Sequence, residues 1–307
     1  MIARALLMLL GLEALAYLVL ARTLAKAQAG PWCILGAIIT IFVLVRVVVP
    51  LVPFMAATAC RALAGAKAHH PAWLVAHAKE TFAKSYFYSV AQPFERWIMG
   101  LDPEPAAGDA LPVLLVHGYL GNRGQWHVMR SALSRRVPNP FFTIDLEPPL
   151  GALDGYWPQL EARIQEICAG TGSARLVIVA FSMGGLVTRA CLARGGGERD
   201  RVAKVITLGT PHHGTFMAAM GPGQNARQMR PSGAWLAQLE ADERARSIEV
   251  PITSIYAEND DIVVPQESSR VAVGRNIPLP AIGHMSLLLS PRVTELLVDE
   301  LRAVNGP

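Results

Sequence analysis

The sequence predicts an α/β fold in which a mostly parallel sheet is flanked by helices and preceded by two long apolar helices. Beyond residue 110, short runs of consecutive apolar residues alternate with helical patterns. Such runs are typical of strands buried on both faces of a parallel sheet. Hydrophobic residues make up 52% of the 307-residue chain and charged residues only 17%. The mean hydropathy of +0.32 indicates that part of the chain contacts lipid.

The apolar excess lies in the first sixty residues, which contain two candidate membrane-spanning helices. Residues 5–21 are apolar except for Glu13, and residues 33–59 are apolar except for Arg46. The second stretch exceeds the ~20 residues that a helix needs to cross a bilayer, and the first is near the lower limit. A Gly-Pro pair between them indicates a tight turn. We therefore predict a transmembrane helical hairpin over residues 1–60.

A cleaved signal peptide is the competing interpretation of the first stretch. The sequence Ala27-Gln28-Ala29 fits the small-x-small cleavage pattern. Glu13 interrupts the apolar region, however, and the second stretch would still anchor the product, so the hairpin is favoured. The positive-inside rule leans only slightly towards a cytoplasmic catalytic domain, and the membrane side stays open. The rule compares the basic residues at the two ends of the hairpin helices. Arg4, Arg61 and Lys67 lie at one end, and Arg22 and Lys26 lie at the other.

The two charges within the hairpin are predicted to meet. In an antiparallel hairpin that turns near Gly30, Glu13 and Arg46 lie about equally far from the turn. Ionisable groups within a membrane span usually face a partner, because an isolated charge there is costly. The alternative is that each side chain reaches the headgroups separately.

Residues 61–110 are predicted to form a juxtamembrane helical region followed by a linker. Residues 72–99 mix aromatic and charged side chains. This mixture fits a helix at the membrane interface, and it fits equally a helix packed on the domain that follows. Residues 101–110 contain two prolines and three acids, a composition typical of a linker. The catalytic α/β domain is therefore predicted to span residues 111–307.

Within this domain, strand and helix patterns alternate. Helices are predicted at residues 156–169, 183–193 and 291–304. Strands are predicted at residues 112–116, 141–144, 175–181, 202–208 and 250–256, with 276–279 as a weaker candidate.

The most informative motif is the end of the third strand, where Ala180-Phe181-Ser182-Met183-Gly184 leads into a helical pattern. This is a variant of the G-x-S-x-G nucleophile elbow, with alanine in place of the first glycine. The elbow puts a serine on a strained strand-to-helix turn, at a helix N-terminus that favours negative charge. The positions two before and two after the serine must be small, because the backbones nearly touch there. Ser182 is the candidate nucleophile.

Three further motifs follow the order expected around such a serine. His117-Gly118-Tyr119 ends the first strand, so the backbone N–H groups of Tyr119 and Met183 are the candidate oxyanion hole, while His117 holds the loop. The fifth strand runs into two adjacent acids, Asp260 and Asp261. His284 follows the last strand and is the candidate base. From the motifs alone, either acid could orient it.

At these motifs the chain resembles bacterial triacylglycerol lipases and esterases of the α/β-hydrolase superfamily, over residues 111–301. The shared patterns are A-x-S-M-G-G at 180–185, T-S-I-Y at 253–256 and G-T-P-H-x-G after the fourth strand. The family's Asp-x-Ile-Val falls on residues 260–263, so the resemblance selects Asp260 as the third catalytic residue. Its G-H-x-x-L-L falls on residues 283–288. Phe181 departs from the family's histidine, which should change the packing of the elbow and not the proton relay.

The resemblance implies an α/β-hydrolase fold and a serine-dependent hydrolase of carboxylic esters that acts on apolar acyl esters or lipids. The hairpin lies outside the resemblance and is predicted to be a multi-pass anchor in contact with lipid, in a bacterial inner membrane. An acyltransferase with the same triad and a non-catalytic membrane scaffold of this fold are the alternatives. Residues 216–233 have the composition of a lid, or of an ordinary surface loop.

No cofactor, metal or nucleic acid is expected. The net charge of +4 comes without a long basic run, so weak attraction to anionic lipid is the simpler interpretation. The four cysteines form no C-x-x-C pair, and the adjacent pairs His69-His70 and His212-His213 lack the spacing of zinc ligands.

Overall fold

The structure, a computed structural model, describes residues 1–63, 73–104, 108–246 and 249–305. Lys67 and the His69-His70 pair, which entered the sequence-based predictions, lie outside these residues.

A six-stranded parallel sheet forms the centre of the domain, and the predicted α/β architecture is confirmed. The strand order is β2-β1-β3-β4-β5-β6. The chain moves outward from β1 to β2 and then crosses to the other side of β1 at β3. Ligands of such sheets bind at this reversal, beyond the carboxyl ends of the strands. Each strand lies within two residues of its prediction: β1 Val113–Val116, β2 Phe141–Ile144, β3 Leu176–Phe181, β4 Val202–Leu208, β5 Ile252–Ala257 and β6 Arg275–Leu279.

Helices cover both faces of the sheet, because side chains on both faces of its strands are apolar. One face packs against α6 and α7, and the other contains α5 and α10. The predicted helices correspond to α6, α7 and α10, whereas α5 and α9 were not predicted. The helices are α1 Ile2–Lys26, α2 Pro31–Leu63, α3 Trp73–Tyr86, α4 Glu95–Ile98, α5 His127–Ser134, α6 Trp157–Thr171, α7 Met183–Arg194, α8 Gln224–Gln228, α9 Ala234–Arg246 and α10 Pro291–Asn305.

The first two helices are long and apolar enough to cross a membrane, a test that a signal sequence also passes. The two helices pack against each other, and both expose large apolar side chains. The end of α2 is different, because Phe54 and Ala57 are buried. Ala57 packs with Met217 and Val264 of the α/β domain in a small apolar cluster.

The predicted pair of charges in the hairpin is confirmed. The Arg46 guanidinium donates two hydrogen bonds to the Glu13 carboxylate, at 2.8 and 2.9 Å. The Tyr17 hydroxyl donates a third to the same carboxylate, at 2.6 Å. Two parallel bonds between a guanidinium and a carboxylate are the strong form of an ion pair. The pair therefore fixes the register of α1 against α2.

This geometry predicts strong coupling between the two charges. In lipid vesicles, Glu13→Gln and Arg46→Gln should each lower the thermal stability, since each leaves one charge without its partner. The double variant should lose less than the sum of the two losses, with a coupling of roughly 0.5–3 kcal/mol. Lys26→Gln, in the exposed last turn of α1, is the control and should change little. Strictly additive losses would mean that the charges do not interact.

The helix α3 packs on the α/β domain, as one of the two alternatives for residues 72–99 predicted. Ala83, Phe87 and Ala91 of α3 and the π-helical turn after it belong to the core beneath the sheet. Phe82 and Trp97 remain largely exposed, at 67% and 73%. The described residues of the predicted linker also contact the α/β domain. There, Asp102 accepts hydrogen bonds from the backbone and hydroxyl of Thr143 and from the Arg163 guanidinium.

Candidate active site

The candidate residues converge at the carboxyl edge of the sheet, where the strand order reverses. Ser182 directly follows β3, Asp260 lies in the loop after β5, and His284 lies in the loop after β6. Parallel strands end at the same edge, so these three loops share one location.

Ser182 has the strained backbone of a nucleophile elbow. Its φ is +52° and its ψ is −123°, a region that costs of the order of 1–3 kcal/mol for a residue with a side chain. Its N–H donates to Leu208 at 2.8 Å, and its carbonyl accepts from the Thr210 hydroxyl at 2.9 Å. The strain is therefore held by the β4 strand and the loop that follows it.

Small residues are required around the elbow, but partly for a different reason from the one predicted. A Cβ on Gly184 would lie 2.7 Å from the carbonyl oxygens of Val116 and His117. A Cβ on Gly118 would lie 2.9 Å from the Cβ of Ser182. The crowding at Gly184 thus comes from the end of β1 and its loop rather than from β3.

The structure brings Ser182, His284 and Asp260 into one chain of hydrogen bonds. His284 Nε2 lies 2.9 Å from Ser182 Oγ, and His284 Nδ1 lies 2.7 Å from Asp260 Oδ2. The other carboxylate oxygen of Asp260 accepts the N–H groups of Ile262 and Val263, at 2.8 and 2.7 Å. Both oxygens of Asp260 are thus engaged, and one is aimed at the imidazole.

Asp261 points away from the imidazole, towards Lys84 of α3, to which it is ion-paired. The geometry therefore separates the two adjacent acids. Of the two acids, Asp260 is the one hydrogen-bonded to His284, whereas the sequence motifs alone left either acid possible.

The pKa of His284 is raised above its ordinary value. Burial of the ring opposes protonation, but the negative charge of Asp260 and the hydrogen bond to it more than offset this effect. Because a base must be neutral to accept a proton, the raised pKa moves the loss of base function to a higher pH than for a free imidazole.

Phe181, the departure from the family pattern, packs against the candidate base. Its ring centre lies 4.8 Å from that of His284, with the two planes tilted by 41°. It leaves both imidazole nitrogens hydrogen-bonded, to Ser182 and Asp260.

The loop after β1 is fixed by two side chains. The Nε2 of His117 accepts the N–H of Leu146 at 2.9 Å, so the proton is on Nδ1, which donates to the carbonyl of Gly118. Burial lowers the pKa of His117 and keeps it neutral. The N–H of Gly118 donates to Gln125 at 3.0 Å. The prediction that His117 holds the loop is confirmed.

The candidate oxyanion donors lie on either side of the nucleophile. Met183 is the first residue of α7, so its N–H has no acceptor in a preceding helical turn. Tyr119 follows Gly118, the residue whose close approach to Ser182 requires a glycine. Their role as an oxyanion hole stays a prediction.

An apolar cavity of about 300 Å³ opens beside Ser182 and His284. Part of its wall comes from residues 216–233, the candidate lid, where a short 3-10 helix and α8 lie. Pro53 brings α2 to the same wall. The apolar lining includes Pro53, Met217, Ala218, Met220, Met229, Ile262 and Val263.

Two residues at the site were not predicted as functional. Glu80 and Lys84 of α3 are buried against the loops that carry His284 and Asp260. A Glu and a Lys four residues apart are common on exposed helix faces. Besides each other, their partners lie 177 or more residues away along the chain, so only the three-dimensional structure distinguishes them.

Comparison with known families agrees with this fold. Residues 107–277 match the family described as the PGAP1-like alpha/beta domain. The chain belongs to this PGAP1-like family. The matched residues include Ser182 and Asp260 and end before His284.

Two curated proteins are related to this PGAP1-like chain. It is 29% identical over 137 residues to a triacylglycerol lipase of Burkholderia plantarii, covering 39% of this chain and 36% of that protein. It is 30% identical over 124 residues to a triacylglycerol lipase of Pseudarthrobacter phenanthrenivorans, covering 36% of each. The matched part of the chain thus spans about a third of the length of these relatives.

Solved structures show the same fold at low identity. Aspergillus fumigatus lipase B superposes with a TM-score of 0.56 at 20% identity, covering 64% of this chain and 54% of that one. The mature form of Bacillus licheniformis lipase BlEst2 gives 0.55 at 17% identity, covering 65% and 96%. The PGAP1-like domain therefore has the predicted α/β-hydrolase fold.

Proposed function

We propose that the chain is a serine-dependent hydrolase of carboxylic esters with apolar acyl groups, and that its substrates are lipids. The observation that carries this proposal is the hydrogen-bonded chain Ser182–His284–Asp260 beside an apolar cavity. The lipase names of the curated relatives support it.

The proposed reaction runs through an acyl-enzyme. His284 Nε2 takes the proton of Ser182 Oγ as that oxygen attacks the ester carbonyl. The N–H groups of Tyr119 and Met183 stabilise the oxyanion. The imidazolium returns the proton to the leaving alcohol, and a water activated by His284 then releases the acid. Asp260 keeps the proton of the neutral ring on Nδ1 and stabilises the imidazolium.

We further propose that α1 and α2 form an uncleaved membrane anchor and that the substrate reaches the site from the lipid. The contact of α2 with the catalytic domain supports this, because Ala57 packs on Met217 and Pro53 lines the cavity. An anchor that also forms part of the cavity wall would bring the site close to lipid acyl chains.

The proposal predicts a preference for longer acyl chains that depends on the cavity wall. With p-nitrophenyl esters of graded length, kcat/KM should rise beyond acetate, by about tenfold for every ~50 Å² of acyl surface buried. Met217→Trp should lower kcat/KM for long chains at least tenfold and leave short chains within about threefold, because the larger ring fills the cavity.

Phe216→Trp is the matched control, since Phe216 is the preceding residue and is 42% exposed. It should leave the chain-length profile unchanged. A flat profile in the wild type, or an equal effect of both variants, would count against an acyl site in this cavity. Adding an alcohol acceptor to the same assay and measuring the new ester distinguishes hydrolysis from acyl transfer.

A further inference from the structure

One face of α3 carries two buried charges towards the candidate active site. Glu80 is 2% exposed and Lys84, one helical turn later, is 8% exposed. Burying a charge is costly unless it is paired and hydrogen-bonded. The partners of these two side chains therefore indicate what the pair does.

Glu80 binds the loop that carries the candidate base. Its two carboxylate oxygens accept the backbone N–H groups of Met285 and Ser286, each at 2.9 Å. These are the two residues directly after His284. The residue before His284 also fits this contact, because a Cβ on Gly283 would lie 2.7 Å from a Glu80 oxygen. One carboxylate thus binds the backbone directly after His284 and packs closely against the residue before it.

Lys84 binds the loop that carries the acid. Its ammonium group is paired with Asp261, the neighbour of Asp260, and lies 3.5 Å from Glu80. Burial alone would lower the pKa of Lys84, but the negative charges of Asp261 and Glu80 more than offset this effect and raise it, so the group stays charged. Glu80 and Lys84 therefore connect the acid loop and the base loop through a single helix face.

We propose that Glu80 and Lys84 are positioning residues for His284 and Asp260, and that α3 is consequently part of the catalytic unit although it precedes the predicted catalytic domain. This inference rests on the proposed ester hydrolysis and deepens it. Glu80 holds the imidazole at its distance from Ser182, and Lys84 holds the acid loop while balancing the negative charge around the imidazole.

The charges around the imidazole give this proposal a distinctive signature. Asp260 is hydrogen-bonded to the imidazole, and the charges of Glu80 and Asp261 also act on it. Lys84 is paired with both of these carboxylates, and His77 and Tyr88 lie within the electrostatic reach of Lys84 and Asp261. Besides Asp260, the negative charges of Glu80 and Asp261 favour the imidazolium. Removing Glu80 should therefore lower the apparent pKa of the base, and removing Lys84 should raise it.

The test is the pH dependence of kcat/KM for a soluble p-nitrophenyl ester, measured on the full chain in detergent. For Glu80→Gln we expect kcat to fall about 10- to 100-fold with KM within about threefold, since the amide accepts with one oxygen only. The midpoint of the acidic limb should move down by roughly half a unit to one unit. For Lys84→Met the midpoint should move up. Lys79→Met, on the exposed face of α3, is the matched control and should leave both kcat and the midpoint unchanged.

Opposite shifts of the two midpoints support the proposal, because a merely structural loss lowers activity without changing the pH profile in a charge-dependent direction. Unshifted midpoints, or shifts of the same sign, would overturn it. If Glu80→Gln unfolds, Gly283→Ala replaces it: this variant keeps every charge but pushes the carboxylate away from the loop. It should lower kcat with KM unchanged, and an unchanged kcat would overturn the proposal. A wild-type chain that hydrolyses no ester would instead refute the proposed function.

Discussion

Replacement of Ser182 by alanine is expected to reduce ester hydrolysis by a factor of the order of 10³ or more. The change removes the oxygen that lies 2.9 Å from His284 Nε2 and leaves the cavity and the backbone N–H groups in place. The remaining rate would come from substrate binding and the oxyanion donors alone. Labelling by a fluorophosphonate probe, which requires an activated serine oxygen, should disappear with the hydrolysis.

The control for this result is Ser131→Ala, because Ser131 lies on the exposed side of α5. It should retain both activity and labelling. Probe labelling of the wild type also tests the alternative of a non-catalytic scaffold, which would not react. Near-wild-type hydrolysis by Ser182→Ala would show that another residue is the nucleophile.

The second large effect is expected at Asp260. Asp260→Asn should lower kcat by roughly 10⁴-fold, because an amide in place of the carboxylate favours the wrong imidazole tautomer and cannot stabilise the imidazolium. The bond that would be altered is the 2.7 Å contact with His284 Nδ1. Single-turnover measurement of the acylation step would show the loss directly.

Asp261→Asn provides the matched comparison one residue away. Its carboxylate is ion-paired with Lys84 and not with His284, so kcat should fall by no more than about tenfold. The buried Lys84 would lose its pair with Asp261 and keep only the contact with Glu80 at 3.5 Å, so the loss of stability should approach the ~3–5 kcal/mol that breaking a buried pair typically costs. Asp261→Asn should therefore lower the melting temperature clearly, while its loss of kcat stays far smaller than that of Asp260→Asn. A larger kcat loss at Asp261 than at Asp260 would reverse the assignment of the acid.

The sheet and the candidate triad could be predicted because their signals are local. A strand buried on both faces requires a continuous apolar run, so β1 to β5 stand out in the sequence. The nucleophile elbow restricts residues 180 and 184, two before and two after the serine, to small side chains. Helix α9 lacks such a signal, because it buries only Leu236 and Leu239 among polar residues. A helix that contacts the domain along so little of its surface has weak apolar periodicity.

The role of α3 could not be predicted for the opposite reason. Its chemistry depends on which distant loops it meets, and neither Glu80 nor Lys84 has an unusual sequence environment. The aromatic residues nearby fitted a membrane interface and a packed helix equally well. The burial of Ala83 and Phe87 in the core supports the packed arrangement, and the hydrogen bonds from Met285 and Ser286 reveal its link to the site.

The contact between Glu80 and the loop that carries His284 also determines when the candidate site can form during protein synthesis. Glu80 leaves the ribosome before its partner Met285, which lies 205 residues further along the chain. At bacterial and eukaryotic elongation rates this separation corresponds to roughly 10–40 s. For that period the two apolar N-terminal helices are already available to a translocon, whereas the buried carboxylate has no loop to bind. On the proposed anchor and the proposed triad, the chain would be tethered to the membrane first and would become catalytically competent last, once its C-terminal segment contacts α3.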